Sequence, residues 1–255
     1  MGVRAVTDPA PGELEAKIVN PENAILPVFL VDTVKSTIKR TLGTAFFFSA
    51  KPIVLSCAHV LGILPAADEM IAVPSREPPD PEPGVVKRYQ SMAPIVNVRR
   101  HPLHDIAVAD VPGVSHFEHL PLQREDPAGV LNVMTYDLVS RVTFERLETG
   151  EMIRTITPYI WKGYVHAVLV EREPGMAAPA KILEISIPVV EGMSGAPLVN
   201  ERRLAVAGVL FGNIARELAP APRSVTEGAR WYLPVGQALH WSHVQEFLGS
   251  IGEMR

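Results

Sequence analysis

Three residues far apart in the chain are of the types that together make a hydroxyl nucleophilic: His59, Asp105 and Ser194. A serine hydroxyl attacks poorly at neutral pH. It needs a base to take its proton and donors to hold the oxyanion that forms. Ser194 lies in "EGMSGAPLVN", where Gly192 would let the backbone N–H groups of Gly192 and Ser194 turn toward one point without a side chain in the way. His59 directly follows the apolar run "PIVLSCA", and Asp105 opens another, "DIAVADV". In the order His, Asp, Ser, spaced by 46 and then 89 residues, they supply base, orienting carboxylate and nucleophile. Each alone has a plain structural reading: a strand-end histidine, an Asp at a strand entrance, a Gly/Ser/Pro turn.

The elements that must carry these residues are short strands. Runs of β-formers between turn residues dominate, among them "TAFFFSA", "PIVLSCAHV", "APIVNVRR", "RVTFERL", "YVHAVLVER", "KILEISIPV", "LAVAGVLFG" and "RWYLPV". Many short strands at this spacing predict an all-β sandwich or barrel rather than alternating βα units. "VPSREPPDPEPG" (73–84) is too proline-rich for a strand and reads as a long surface loop. "REPGMAAPA" (172–180) reads as a wide hairpin loop, and "PLQREDPAG" (121–129) divides the strand-rich chain into two similar β units. The clearest helical pattern comes last: Ala238, Leu239, Trp241, Val244, Phe247, Leu248 and Ile251 recur at three- and four-residue steps, with Gly252 as a stop.

Composition removes several function classes. The 255 residues are 47% hydrophobic and 20% charged, ordinary for a globular protein, and the net charge of −4 gives no basic footprint for nucleic acid. The sole cysteine, Cys57, rules out an intrachain disulfide framework. The first residues, "MGVRAVTDPAPGELEAK", lack the apolar core of a signal peptide, and "AILPVFLV" is far too short to span a membrane. A cytoplasmic protein with no membrane contact is the expectation. No cofactor is expected either. The pairs His101/His104, His116/His119 and His240/His243 show i, i+3 spacing, but none belongs to a metal-ligand pattern. Gly192-x-Ser194-x-Ala196 also fits an α/β-hydrolase elbow, but no Asp follows Ser194 and only 61 residues remain for that fold's acid and histidine.

Four segments in order, "GTAF" with "LSCAHV", "HDIAVADV", "GMSGAPLVN" and "VAGVLFGN", resemble the chymotrypsin/trypsin-like serine proteases, above all the disulfide-free bacterial type. The match spans about residues 28–250. It implies two six-stranded antiparallel β-barrels: an N-terminal extension over 1–27, a first barrel over 28–120 carrying His59 and Asp105, a linker over 121–129, a second barrel over 130–236 carrying Ser194, and a C-terminal helix over 237–255. By that resemblance His59 is general base then acid, Asp105 fixes its tautomer, Ser194 forms an acyl-enzyme, and the N–H groups of Gly192 and Ser194 make the oxyanion hole. Three residues depart from the family pattern. Met193 replaces the Asp that captures a new N-terminus in zymogens. Cys57 stands where Ala or Thr is usual and reads as a buried filler. Phe211 follows Leu210 where many members carry a polar residue near the triad Asp.

The resemblance places substrate contacts at Pro188, Val189, Leu210, Gly212, Asn213, Arg230 and Tyr232. Pro188, Val189 and Leu210 carry no charge, so an apolar pocket is the first expectation. Arg230 shares a strand face with Tyr232, and a guanidinium there would pair with an acidic side chain, which makes cleavage after Asp or Glu the rival. Asn213 is a candidate for holding substrate backbone by β-addition. The implied partner is a protein or peptide substrate, with room for a regulatory protein. The alternative to an endopeptidase is a catalytically silent protease-fold binding module.

Overall fold

The computed structural model describes residues 21–75, 91–114, 117–125, 131–138, 142–146, 152–156, 159–172, 176–217 and 232–253. After one helical turn, α1 (Pro21–Ala24), come β1 (Ile25–Asp32), β2 (Thr37–Phe47), β3 (Ile53–Ser56), a second helical turn α2 (Ala58–Leu61), β4 (Glu69–Ser75), β5 (Ser91–Pro94), β6 (Val96–Arg100) and β7 (Ala107–Asp110). These strands form one antiparallel sheet in the order β5-β4-β1-β2-β3-β7-β6. "APIVNVRR", expected as one strand, is two. Ile95 interrupts it, its N–H bonding the Ile71 carbonyl at 2.9 Å. Because β5 and β6 lie on opposite edges yet are one residue apart in the chain, the sheet has to curl until its edges meet.

The second unit is a closed barrel. β8 (Asn132–Asp137), β11 (Tyr159–Glu171), β12 (Ala180–Ile185), β13 (Pro197–Asn200), β14 (Ala205–Glu217) and β15 (Tyr232–His240) close in the order β11-β12-β15-β14-β13-β8. β9 (Val142–Arg146) and β10 (Met152–Ile156) pair as a separate antiparallel ribbon. The fold is thus the expected trypsin-like double β-barrel type, a curled seven-stranded sheet beside a closed six-stranded barrel, ending in helix α3 (Trp241–Ser250).

β1 shows why a strand can lack alternation. All eight of its residues are buried: Leu26, Val28 and Leu30 face the main core, while Phe29 and Val31 face a small second cluster with Ala72. The main core runs without a break from the first sheet (Phe46, Val54, Ile106) through the barrel wall (Ile182, Val209) to Val244 and Phe247 of α3. The barrel interior holds its own cluster, including Leu183, Ile185, Met193 and Leu210.

Two boundaries differ from the sequence expectation. Val73, Pro74 and Ser75 belong to β4, with Pro74 opposite Met92, so the strand reaches into the proline-rich stretch; residues 76–90 lie outside the described residues. The helix expected from 237 begins at Trp241. Gln237, Ala238 and Leu239 are strand, paired with β12 and β14 to close the barrel, and the His240 side chain accepts from the Ser242 N–H to cap the helix. The helix stop is as expected: Glu253 N–H bonds the Leu248 carbonyl and Gly252 N–H the Gly249 carbonyl.

Candidate active site

β3 and β7 pair with Ser56 opposite Ala107. That register brings the residues just after β3 beside those just before β7, and so sets α2 against the loop ending in Asp105. Both carboxylate oxygens of Asp105 are then used. Oδ1 accepts from the His59 backbone N–H at 2.9 Å, and Oδ2 lies 2.6 Å from His59 Nδ1. A proton held on Nδ1 leaves Nε2 as the basic nitrogen, and the His59 side chain is half exposed. Burial works to raise the pKa of Asp105, but the bond and charge offered by the His59 ring, with the N–H groups of His59 and Ala58, outweigh it. The carboxyl is held below its ordinary value and stays an anion.

Ser194 lies in the turn between β12 and β13. Met193 N–H bonds the Val190 carbonyl (3.0 Å), and Ala196 N–H bonds the Met193 carbonyl (2.9 Å). Gly192 has φ +91° and Gly195 φ +87°, a region costly for residues with a Cβ. At Gly195 space forbids one as well: an added Cβ would sit 2.1 Å from both Ser56 Oγ and the Thr44 carbonyl. Thr44 of the first sheet holds this turn from the other side, its N–H donating to the Ser194 carbonyl (2.8 Å) and its Oγ1 to the Gly192 carbonyl (2.7 Å). Among the described residues, the N–H groups of Gly192 and Ser194 bond no acceptor, as donors kept for an oxyanion would. The Ser194 hydroxyl makes no hydrogen bond among the described residues either.

The turn carrying Ser194 and the segment carrying His59 meet at two points. A Cβ at Gly43 would stand 2.7 Å from both the Ser194 carbonyl and the Val60 side chain. The Leu210 carbonyl accepts from both Gly195 N–H (2.7 Å) and Cys57 Sγ (3.1 Å). Beside His59 and Asp105, on the side of Gly62, Arg100 and Leu103, opens a cavity of about 280 Å³.

The other expected residues are placed unevenly. Val189 and Leu210 are buried in the barrel's hydrophobic cluster, and Gly212 faces open space. Asn213 is engaged within the protein: its Oδ1 accepts from the Val189 N–H (2.6 Å) and its Nδ2 donates to the Val189 carbonyl. That side chain satisfies loop backbone that would otherwise lack partners, while β-addition to substrate would use the main chain of the strand edge. Tyr232 starts β15 opposite Glu217, and only its backbone belongs to the described part; Arg230 lies outside the described residues. Met193, expected only as a departure from zymogens, is fully buried in the barrel core. Sequence reasoning assigned no role to Thr44 or Ser56, although "GTAF" and "LSCAHV" contain them.

A curled sheet beside a closed barrel, ending in one helix, defines a double-barrel fold of the trypsin type. The model of the trypsin-like peptidase domain matches residues 43–209, and the chain belongs to that family. Solved structures agree on the fold. An inactive form of Rv3671c from M. tuberculosis is 19% identical, with a TM-score of 0.53 over 99% of this chain and 98% of that one. The MamO protease domain of Magnetospirillum magneticum is 16% identical, with a TM-score of 0.53 over 89% and 97%. The HtrA-type protease AlgW with decapeptide is 16% identical, with a TM-score of 0.54 over 91% and 65%. No curated protein sequence matches significantly. The chain is a peptidase-family protein, and none of its described helices is long and apolar enough to cross a membrane.

Proposed function

We propose that this protein is a serine endopeptidase working through Ser194, His59 and Asp105. The observation that carries the reading is the His59–Asp105 pair, with Nδ1 bonded to an anionic carboxylate, on a segment that meets the Ser194 turn, where the Gly192 and Ser194 N–H groups bond no acceptor among the described residues. His59 takes the Ser194 proton as the hydroxyl attacks the scissile carbonyl, and the oxyanion settles on the N–H groups of Gly192 and Ser194. His59 then gives the proton to the leaving amine, leaving an ester on Ser194. Water, activated by the same imidazole, hydrolyses it. Asp105 keeps the proton on Nδ1 and stabilises the imidazolium.

The cleft reading is an apolar residue before the cut, because Val189 and Leu210 bring no charge. Cleavage after Asp or Glu through Arg230 is the competing outcome of a peptide-library profile. A cytoplasmic site of action and control by a protein partner belong to the same proposal. The deciding experiment is labelling with a fluorophosphonate probe. The folded protein is expected to label, and Ser194→Ala to lose both labelling and peptide hydrolysis, the latter by about 10⁴–10⁶-fold. A folded wild type that never labels would point to a silent binding module.

A further inference from the structure

We propose that Cys57 is a positioning residue for the Ser194 reaction: its thiol, set between the Leu210 carbonyl and the Asp105 carboxylate, holds the His59–Asp105 pair in register with the Ser194 turn. This rests on the peptidase reading and goes beyond it.

Cys57 stands directly before α2, in extended conformation (φ −69°, ψ 146°), at the position where a polar side chain usually caps the helix. Its side chain makes no cap. It turns inward instead and is fully buried, with Sγ donating to the Leu210 carbonyl at 3.1 Å. That carbonyl also accepts from Gly195, the residue after Ser194. One acceptor on β14 therefore joins the residue two before His59 to the residue one after the nucleophile. The same sulfur lies within 4.8 Å of a ring nitrogen of His59 and a carboxylate oxygen of Asp105, so the single thiol proton faces two acceptors.

Where β14 passes Cys57 its own side chains offer no donor. Leu210 and Phe211 are apolar, and the chain bulges between Leu210 and Gly212. Burial, and then the Asp105 charge, push the Cys57 thiol well above its usual pKa. It remains a neutral S–H donor and is no rival nucleophile. A neutral donor suits this place, because it can rest against the carboxylate without cancelling the charge that His59 needs.

The test compares Cys57→Ala and Cys57→Ser in the full chain, with the fluorophosphonate labelling rate followed across pH. Cys57→Ala is expected to label about tenfold more slowly, with its acid limb moved to higher pH, because a carboxylate stripped of one donor pulls harder on the imidazolium. Cys57→Ser keeps a donor of similar shape and is expected to come within about threefold of wild type. Wild-type rates and an unmoved limb in Cys57→Ala overturn the proposal, as does a Ser variant as slow as Ala. The low-field proton resonance of His59 Nδ1–H gives a second readout that needs no activity. It is expected to shift between wild type and Cys57→Ala, and to return toward its wild-type position in Cys57→Ser; an unshifted resonance overturns the proposal. A shifted resonance in a wild type that never labels would keep the positioning role and remove the peptidase reading.

Discussion

The two halves of the site are held by different means. On the first sheet, His59 and Asp105 grip each other directly, with both carboxylate oxygens engaged, and adjacent strands β3 and β7 deliver them. In the barrel, Ser194 rides on a turn shaped by backbone: glycines at positive φ inside it and Thr44 reaching in from the other unit. His59 is thus set by local strand register, whereas Ser194 is set by how closely the two units approach. Damage to the first half should remove chemistry and leave the fold. Damage to the second should cost fold and chemistry together.

The sharpest test of the first half is Asp105→Asn. An amide in place of the anion favours the wrong imidazole tautomer, and kcat is expected to fall by about 10⁴-fold. The melting temperature should change little by comparison, and steady-state peptide hydrolysis beside a thermal melt reads both.

For the second half, Gly195→Ala forces a methyl into Ser56 Oγ and the Thr44 carbonyl at a strained φ. A loss of about 3 kcal/mol in urea unfolding, with fluorophosphonate labelling lost, is the expected result. Gly212→Ala meets no atom within 4 Å and serves as the control, with stability expected to stay within about 0.5 kcal/mol. Equal effects of the two alanines would break the comparison.

Thr44→Val is milder. It keeps the N–H bond to Ser194 and removes only the hydroxyl bond to Gly192, so labelling is expected to slow by roughly tenfold with about 1 kcal/mol lost. An unchanged low-field His59 resonance in this variant would confirm that the halves are set independently.

The smallest expected effect is a drift in stability with acid. His104, next to Asp105, stacks on His101 and meets His243 of α3 edge to face. Burial is the first cause lowering all three, aided at His101 by His104, and at His243 by His104, His101 and Lys181; Glu246 opposes it throughout. His243 falls from 6.5 to about 4. These rings are neutral when folded, while the unfolded chain takes up protons below pH 6.5, so stability is full above that pH and declines as pH falls toward about 4. Urea midpoints across that window should show the decline, and His243→Gln should flatten part of it.

Much of this was legible from residue types. Short β-forming runs set strand after strand, and the order His59, Asp105, Ser194 with Gly192 singled out the residues on which the proposed chemistry rests. Legibility failed where pattern and environment part. β1 has no alternation because both of its faces are covered, and Ala238 and Leu239, which continue the helical pattern, are strand because the barrel needs them to close. Nor did any local pattern show that the Asn213 amide would serve the backbone of Val189.

By itself the sequence determined the kinds of element and the chemistry available, since strand periodicity and side-chain reactivity are properties of short stretches. Only the tertiary structure decided that Thr44 would hold Gly192 across 148 residues of chain, and that Cys57 would reach Leu210 across 153. Such contacts follow from how a curled sheet and a closed barrel pack together. No local pattern encodes that approach, because it is the sum of many buried side chains far apart in the chain.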